Sequence, residues 1–105
     1  MKKNSFIFLA GHKGLVGSSL LALLKRKGYK NIITVDKKIL DLRDYNKVKK
    51  YFKRKKIDYL IMAAARAGGI IANSTYQKDF FLENIEIQNS LLRLALHKKI
   101  KRTIY

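Results

Sequence analysis

"FIFLAGHKGLVGSSLLALLKRKGY", residues 6–29, passes from five apolar residues through three glycines into a pattern with helical spacing. The apolar run, residues 5–10 with its flanking serine, suits a buried strand. From 14 to 27, Leu15, Val16, Leu20, Leu23 and Leu24 recur at helical period, and "KRKG" closes the segment with cations facing a helix C-terminus and Gly28 placed for a left-handed cap. Gly11, Gly14 and Gly17 stand three apart where the strand turns into the helix. Each serves a separate purpose. Gly11 allows the tight turn, Gly14 the approach of a pyrophosphate to bare backbone, and Gly17 close packing of the helix on the sheet. The helix N-terminus adds free N–H groups and the positive end of its dipole. Gly11, Lys13, Gly14, Leu15, Val16 and Gly17 are therefore the candidate anion site.

The rest of the chain repeats the alternation. Residues 31–36 ("NIITVD") are β-branched and strand-like, and 39–42 ("ILDL") predict a very short edge strand. Asp44 is placed to cap a helix over 45–56, with Tyr45, Val48, Tyr51 and Phe52 on one face and lysines on the other. Residues 58–65 read as a second buried strand, "RAGGIIANST" as a loop, about 76–98 as a long helix, and Arg102 as the start of another strand. Strands alternating with helices predict an α/β fold: a doubly wound, Rossmann-type parallel sheet, incomplete, of four to five strands with helices on both faces. Its ligand crevice belongs at the carboxyl ends of the strands that finish at Ala10 and Ala65, where the strand order reverses.

At 105 residues the chain is one domain, with no room for a second. There is no cysteine, and His12 and His97 lie far apart, so no metal site is expected. The apolar start is broken after Ala10, too early for an export signal, and no run approaches the ~20 residues of a membrane span. A cytoplasmic protein with no membrane partner is the expectation. The 24 lysines and arginines against 7 acids, net +17, attract polyanions. They are spread along the whole sequence with no nucleic-acid fold signature, so a small basic nucleic-acid-binding protein is the minor alternative and nucleic acid is not the expected partner.

Asp36 stands 19 residues beyond Gly17, where an acid would bind the adenosine ribose of NAD. Lys13, Lys37 and Lys38 surround it and would favour the extra phosphate of NADP. The charge count leans to NADP. Further on, Ala63, Ala64 and Ala65 leave space beside the crevice, and Gly68 and Gly69 allow a backbone path that could floor the nicotinamide end.

"AGHKGLVGSSL" together with "AAARAGGIIANSTYQKDFFLEN" resembles the N-terminal part of the GDP-L-fucose synthase family, extended short-chain dehydrogenases/reductases. The resemblance covers essentially this whole chain and about the first third of such an enzyme. It implies an NADP-dependent epimerase/reductase that converts GDP-4-keto-6-deoxy-mannose to GDP-L-fucose. Carried over, Gly11, Gly14 and Gly17 hold the pyrophosphate, and Lys13 replaces a family arginine near the 2'-phosphate. Asp41 falls close to the adenine, while Ala63, Ala64, Ala65, Gly68, Gly69 and Ile70 line the cofactor. Asp36 departs from a basic or neutral neighbourhood.

The family's Ser-Ser-x-x-Tyr-Pro segment has no counterpart in these 105 residues, and the two Tyr-x-x-x-Lys matches, Tyr45 with Lys49 and Tyr51 with Lys55, lie on the basic helix before the crevice strand and read as coincidental. The expectation is thus a cofactor-binding fragment, residues 1–105, without catalytic residues or substrate domain and inactive alone. Another nucleotide-sugar epimerase/dehydratase is the nearest enzyme alternative. The helix over 76–98 carries two apolar stripes, more than one sheet face needs, which predicts a homodimer through it.

Overall fold

The computed structural model describes residues 1–63 and 74–104, and for 74–81 the backbone alone. Seven elements alternate: β1 (Phe6–Ala10), α1 (Leu15–Arg26), β2 (Asn31–Ile33), α2 (Tyr45–Tyr51), β3 (Tyr59–Met62), α3 (Ser74–Lys98) and β4 (Arg102–Ile104). The strands form one parallel sheet in the order β2-β1-β3-β4. β1 is interior, with Phe8 opposite Ile33 on one side and Leu60 on the other. From β1 the chain adds β2 on one side and β3 and β4 on the other, so the gap at the carboxyl ends of β1 and β3 is the switch point.

Strand alternation divides the core in two. Ile7 and Leu9 point to one face, where Leu24 and Ile61 join them and Leu20 and Tyr29 pack alongside, so α1 covers that side. Phe8 and Ala10 point to the other, against Val48 and Phe52 at α2 and Leu91 and Leu94 of α3. The Phe8 and Phe52 rings pack 4.5 Å apart between centroids. Asp58 ties the starts of β1 and β3 together: its N–H donates to the Phe6 carbonyl at 2.8 Å, and its carboxylate accepts the Phe6 N–H at 2.9 Å.

Several elements are shorter than their apolar pattern. β2 stops at Ile33 because Asp36 turns the chain: its carboxylate accepts the Lys38 N–H and its carbonyl the N–H groups of Ile39 and Leu40. Residues 39–42 are likewise turn and not an edge strand, since Asp41 accepts the Arg43 N–H in a second such turn and Leu40 folds into the core. α2 has the expected cap, Asp44 accepting the Lys47 N–H at 3.3 Å, but ends at Tyr51 rather than 56. Four consecutive cations from Lys53 to Lys56 continue it poorly, and the Lys55 N–H bonds back to Phe52 in a tight turn. The cap on α1 is as expected: Gly28 has φ +90°, and the Tyr29 N–H closes on the Leu24 carbonyl.

Candidate dinucleotide site

Gly17 fixes the geometry of the loop. A Cβ there would lie 1.8 Å from the Gly11 carbonyl oxygen and 2.7 Å from its carbon, so the first turn of α1 rests directly on the backbone leaving β1. Gly11 reaches that position with φ +87°, which disfavours any side chain. Gly14 is different. Among the described residues a Cβ on it would meet only the Gly11 oxygen at 3.6 Å, an ordinary contact, so their packing does not require glycine there.

Gly14 is also the N-cap of α1, without a side chain to cap the helix and with no acid in the first turn. The first N–H groups of α1, at Leu15, Val16 and Gly17, are left for an anion. The Leu15 side chain is 87% exposed, so its part in the site is backbone; Val16 is half-buried and Gly17 buried.

A cavity of about 340 Å³ opens beside this turn. Gly11, Lys13 and Gly14 form one wall, Lys37 and Asp41 another, and Glu83, Asn84 and Ile87 of α3 a third, with Val35, Leu40 and Leu42 supplying apolar surface. The structure therefore brings together Gly11, Lys13, Gly14, Lys37 and Asp41 from two separated segments. Ala63 follows β3 and donates its N–H to the Ala10 carbonyl at 2.9 Å, at the switch point. Ala64, Ala65, Gly68, Gly69 and Ile70 lie outside the described residues.

The charges at the rim are paired. Lys13 reaches the Asp36 carboxylate, which holds that carboxyl below its ordinary range, with the Lys38 N–H contributing. Lys37 lies 3.5 Å from Glu83, and Arg43 bonds Asp41 through its guanidinium at 2.9 Å, depressing the Asp41 carboxyl in the same way. The three cations counted from sequence are thus not all free to meet a phosphate.

Asn84 was not singled out by the sequence. It is 7% exposed, lines the cavity, and its Nδ2 has no hydrogen-bond partner among the described residues. Buried amide donors are ordinarily paired, so Asn84 stands out among the residues that line the cavity. Only its placement in "FLENIEIQNSLL", an asparagine interrupting the apolar stripe, could have flagged it.

A parallel sheet, a glycine turn at its switch point and a cavity between that turn and α3 define a dinucleotide-binding Rossmann-type domain. The chain belongs to the NAD dependent epimerase/dehydratase family, whose pattern matches residues 7–105. It is similar to GDP-L-fucose synthase 1 of Arabidopsis thaliana, 38% identical over 103 residues, which are 98% of this chain and 32% of the relative. Among solved structures it resembles the GDP-mannoheptose C4 reductase MlghC of Campylobacter jejuni with NADP bound, with a TM-score of 0.87, 34% identity, and coverage of 98% of this chain and 30% of that one. A GDP-D-glycero-L-gluco-heptose synthase of the same organism, solved in the presence of NADPH, matches with a TM-score of 0.89 and 32% identity over 100% of this chain and 31% of that one. The chain spans about a third of the length of the curated relatives it matches. No helix among the described residues is long and apolar enough to cross a membrane.

Proposed function

We propose that these residues are the N-terminal, cofactor-binding part of an NADP-dependent reductase/epimerase of the GDP-L-fucose synthase type, acting on GDP-4-keto-6-deoxy-mannose. The bound cofactor supplies hydride to a keto carbon. The contribution of this chain is to hold it: first-turn N–H groups of α1 on the pyrophosphate, the bare Gly14 edge beside it, Lys13 and Lys37 near the adenosine end, and Asn84 Nδ2 offering a hydrogen bond from α3. With no catalytic Tyr-x-x-x-Lys pair at this site, the 105 residues bind without turnover.

One observation carries the reading: Gly17 is glycine because α1 sits on Gly11, whereas Gly14 is glycine where the described residues leave room. Space kept on the cavity side of an anion-binding turn is what a pyrophosphate needs. Replacing Gly14 with Val, in a backbone of φ −71° and ψ 171° that valine adopts readily, should leave the fold intact and abolish NADP binding in titration calorimetry. Undiminished binding by a folded Gly14→Val chain would overturn the assignment.

A further inference from the structure

Along the sequence the cations are scattered; in the fold they are gathered. Each crossover of a parallel sheet returns to the amino-terminal end of the next strand, so residues just before β1, β2, β3 and β4 share one end of the molecule. Residues 2–3, 25–30, 53–56 and 98–102 hold two, four, four and four basic residues, fourteen of the chain's 24. All are exposed except Lys98, whose ammonium is half-buried against the Phe52 carbonyl at 2.7 Å. The crevice lies at the opposite end.

The acids are distributed the other way. Asp58 is the one carboxylate in the strand-start segments, and it is engaged by the Phe6 N–H. The remaining six stand in the turns after β2, at the start of α2 or in the first half of α3, and all three ion pairs among the described residues are at that crevice end. Helix dipoles do not account for the cations: three helix C-termini of about half a charge each amount to roughly −1.5. The excess is a dense positive face whose cations form no ion pair among the described residues.

We infer that this face binds the phosphate backbone of a nucleic-acid duplex without reading its sequence. In this region Tyr29, Tyr51 and Phe6 are each roofed by a lysine, Lys3 at 4.4 Å, Lys55 at 5.0 Å and Lys56 at 5.8 Å from the ring centroids, while Tyr59 packs against the Ile7 and Leu9 core. Rings covered in this way do not stack on bases, and they do not enter an acyl layer as an interfacial anchor requires. What remains is charge, the chemistry of backbone contact. Four strand starts at about 4.8 Å spacing cover ~14 Å, facing about four phosphates of a duplex.

The test is fluorescence anisotropy of the 105-residue chain with a fluorescein-labelled duplex of about 20 base pairs, titrated between about 50 and 200 mM NaCl. The expected result is binding, equal for two unrelated sequences, whose log–log salt slope is about −4. Lys30, Lys53 and Lys101 come from three different crossovers and have no side-chain partner among the described residues. Changed together to Ala they should weaken binding at least about tenfold and bring the slope toward about −1.5. Changing Lys13, Lys37 and Lys38 to Ala removes the same charge at the crevice end and should leave duplex affinity within about twofold, and NADP should not displace the duplex. Equal losses in the two triple variants, or displacement by NADP, would overturn the inference. So would absence of binding at the lowest salt, or tighter binding to phosphatidylserine vesicles than to the duplex.

Discussion

Lys13 and Asp36 form an ion pair that bridges the glycine turn to the segment beyond β2, so the cation expected to meet a 2'-phosphate is held by the acid expected to meet a ribose. The two residues compete for opposite cofactors, and each is weakened by the other. Asp36→Asn should free Lys13 and strengthen NADP binding about fivefold relative to NAD. Lys13→Ala should leave Asp36 unopposed and shift preference toward NAD by a similar factor, measured by calorimetry at low salt. If neither substitution moves the ratio, the pair lies outside the adenosine pocket.

Gly17 and Gly14 are expected to separate stability from binding. Gly17→Ala forces a methyl into the Gly11 carbonyl, a backbone atom that cannot swing away, and should lower Tm by several degrees or prevent folding. Gly14→Ala adds an ordinary contact and should keep Tm within about two degrees while weakening NADP. Thermal melts of the two variants without ligand check this directly.

Asn84 predicts a trade of function against stability. Its Nδ2 has no partner among the described residues, and a buried donor left unpaired costs about 1–3 kcal/mol. Asn84→Leu should therefore raise the unliganded Tm and lower NADP affinity; a variant that is less stable would show that the amide is satisfied by a group other than the cofactor.

Acid should destabilise the fold through Asp36 and Asp41, both held below the ordinary aspartate value of 3.8 by Lys13 and Arg43. Above that value both states are ionised and the stabilisation is complete. As pH falls through it the unfolded chain protonates first, so stability declines and is lost once the folded-state values are passed. Urea melts between about pH 5 and pH 2 should show this slope, reduced when both residues are Asn.

α3 buries Leu91 and Leu94 but leaves Leu82, Ile85 and Leu96 at 58%, 46% and 80% exposure. Sedimentation at low and high salt should show a second copy seated on this row, association increasing as salt screens the net charge. Leu82→Glu with Ile85→Glu should restore the monomer. A monomer of the unaltered chain at both salts would leave the row without that role.

The parallel sheet and the glycine turn were legible because strand and helix periods and the spacing of Gly11, Gly14 and Gly17 are local signals, and the switch point followed from right-handed crossovers. The ends of β2 and α2 were not, because side-chain capping by Asp36 and repulsion along Lys53 to Lys56 outweigh apolar pattern there. The pairing of Lys13 with Asp36 joins residues 23 apart and was counted from sequence as free charge. Asn84 became visible only when α3 was placed over the cavity, and the polar concentration of lysines only when the crossovers were closed.

The interior position of β1 bears on how the chain is made. Ile7 pairs with Tyr59, so the strand synthesised first waits for a neighbour translated roughly fifty residues later, about 3–10 s at ordinary elongation rates. During that interval "FIFLA" has at most β2 beside it, a strand of three residues. Its yield of folded protein should consequently depend on the pace of translation and on factors that shield nascent apolar segments, more than the stability of the finished sheet would suggest.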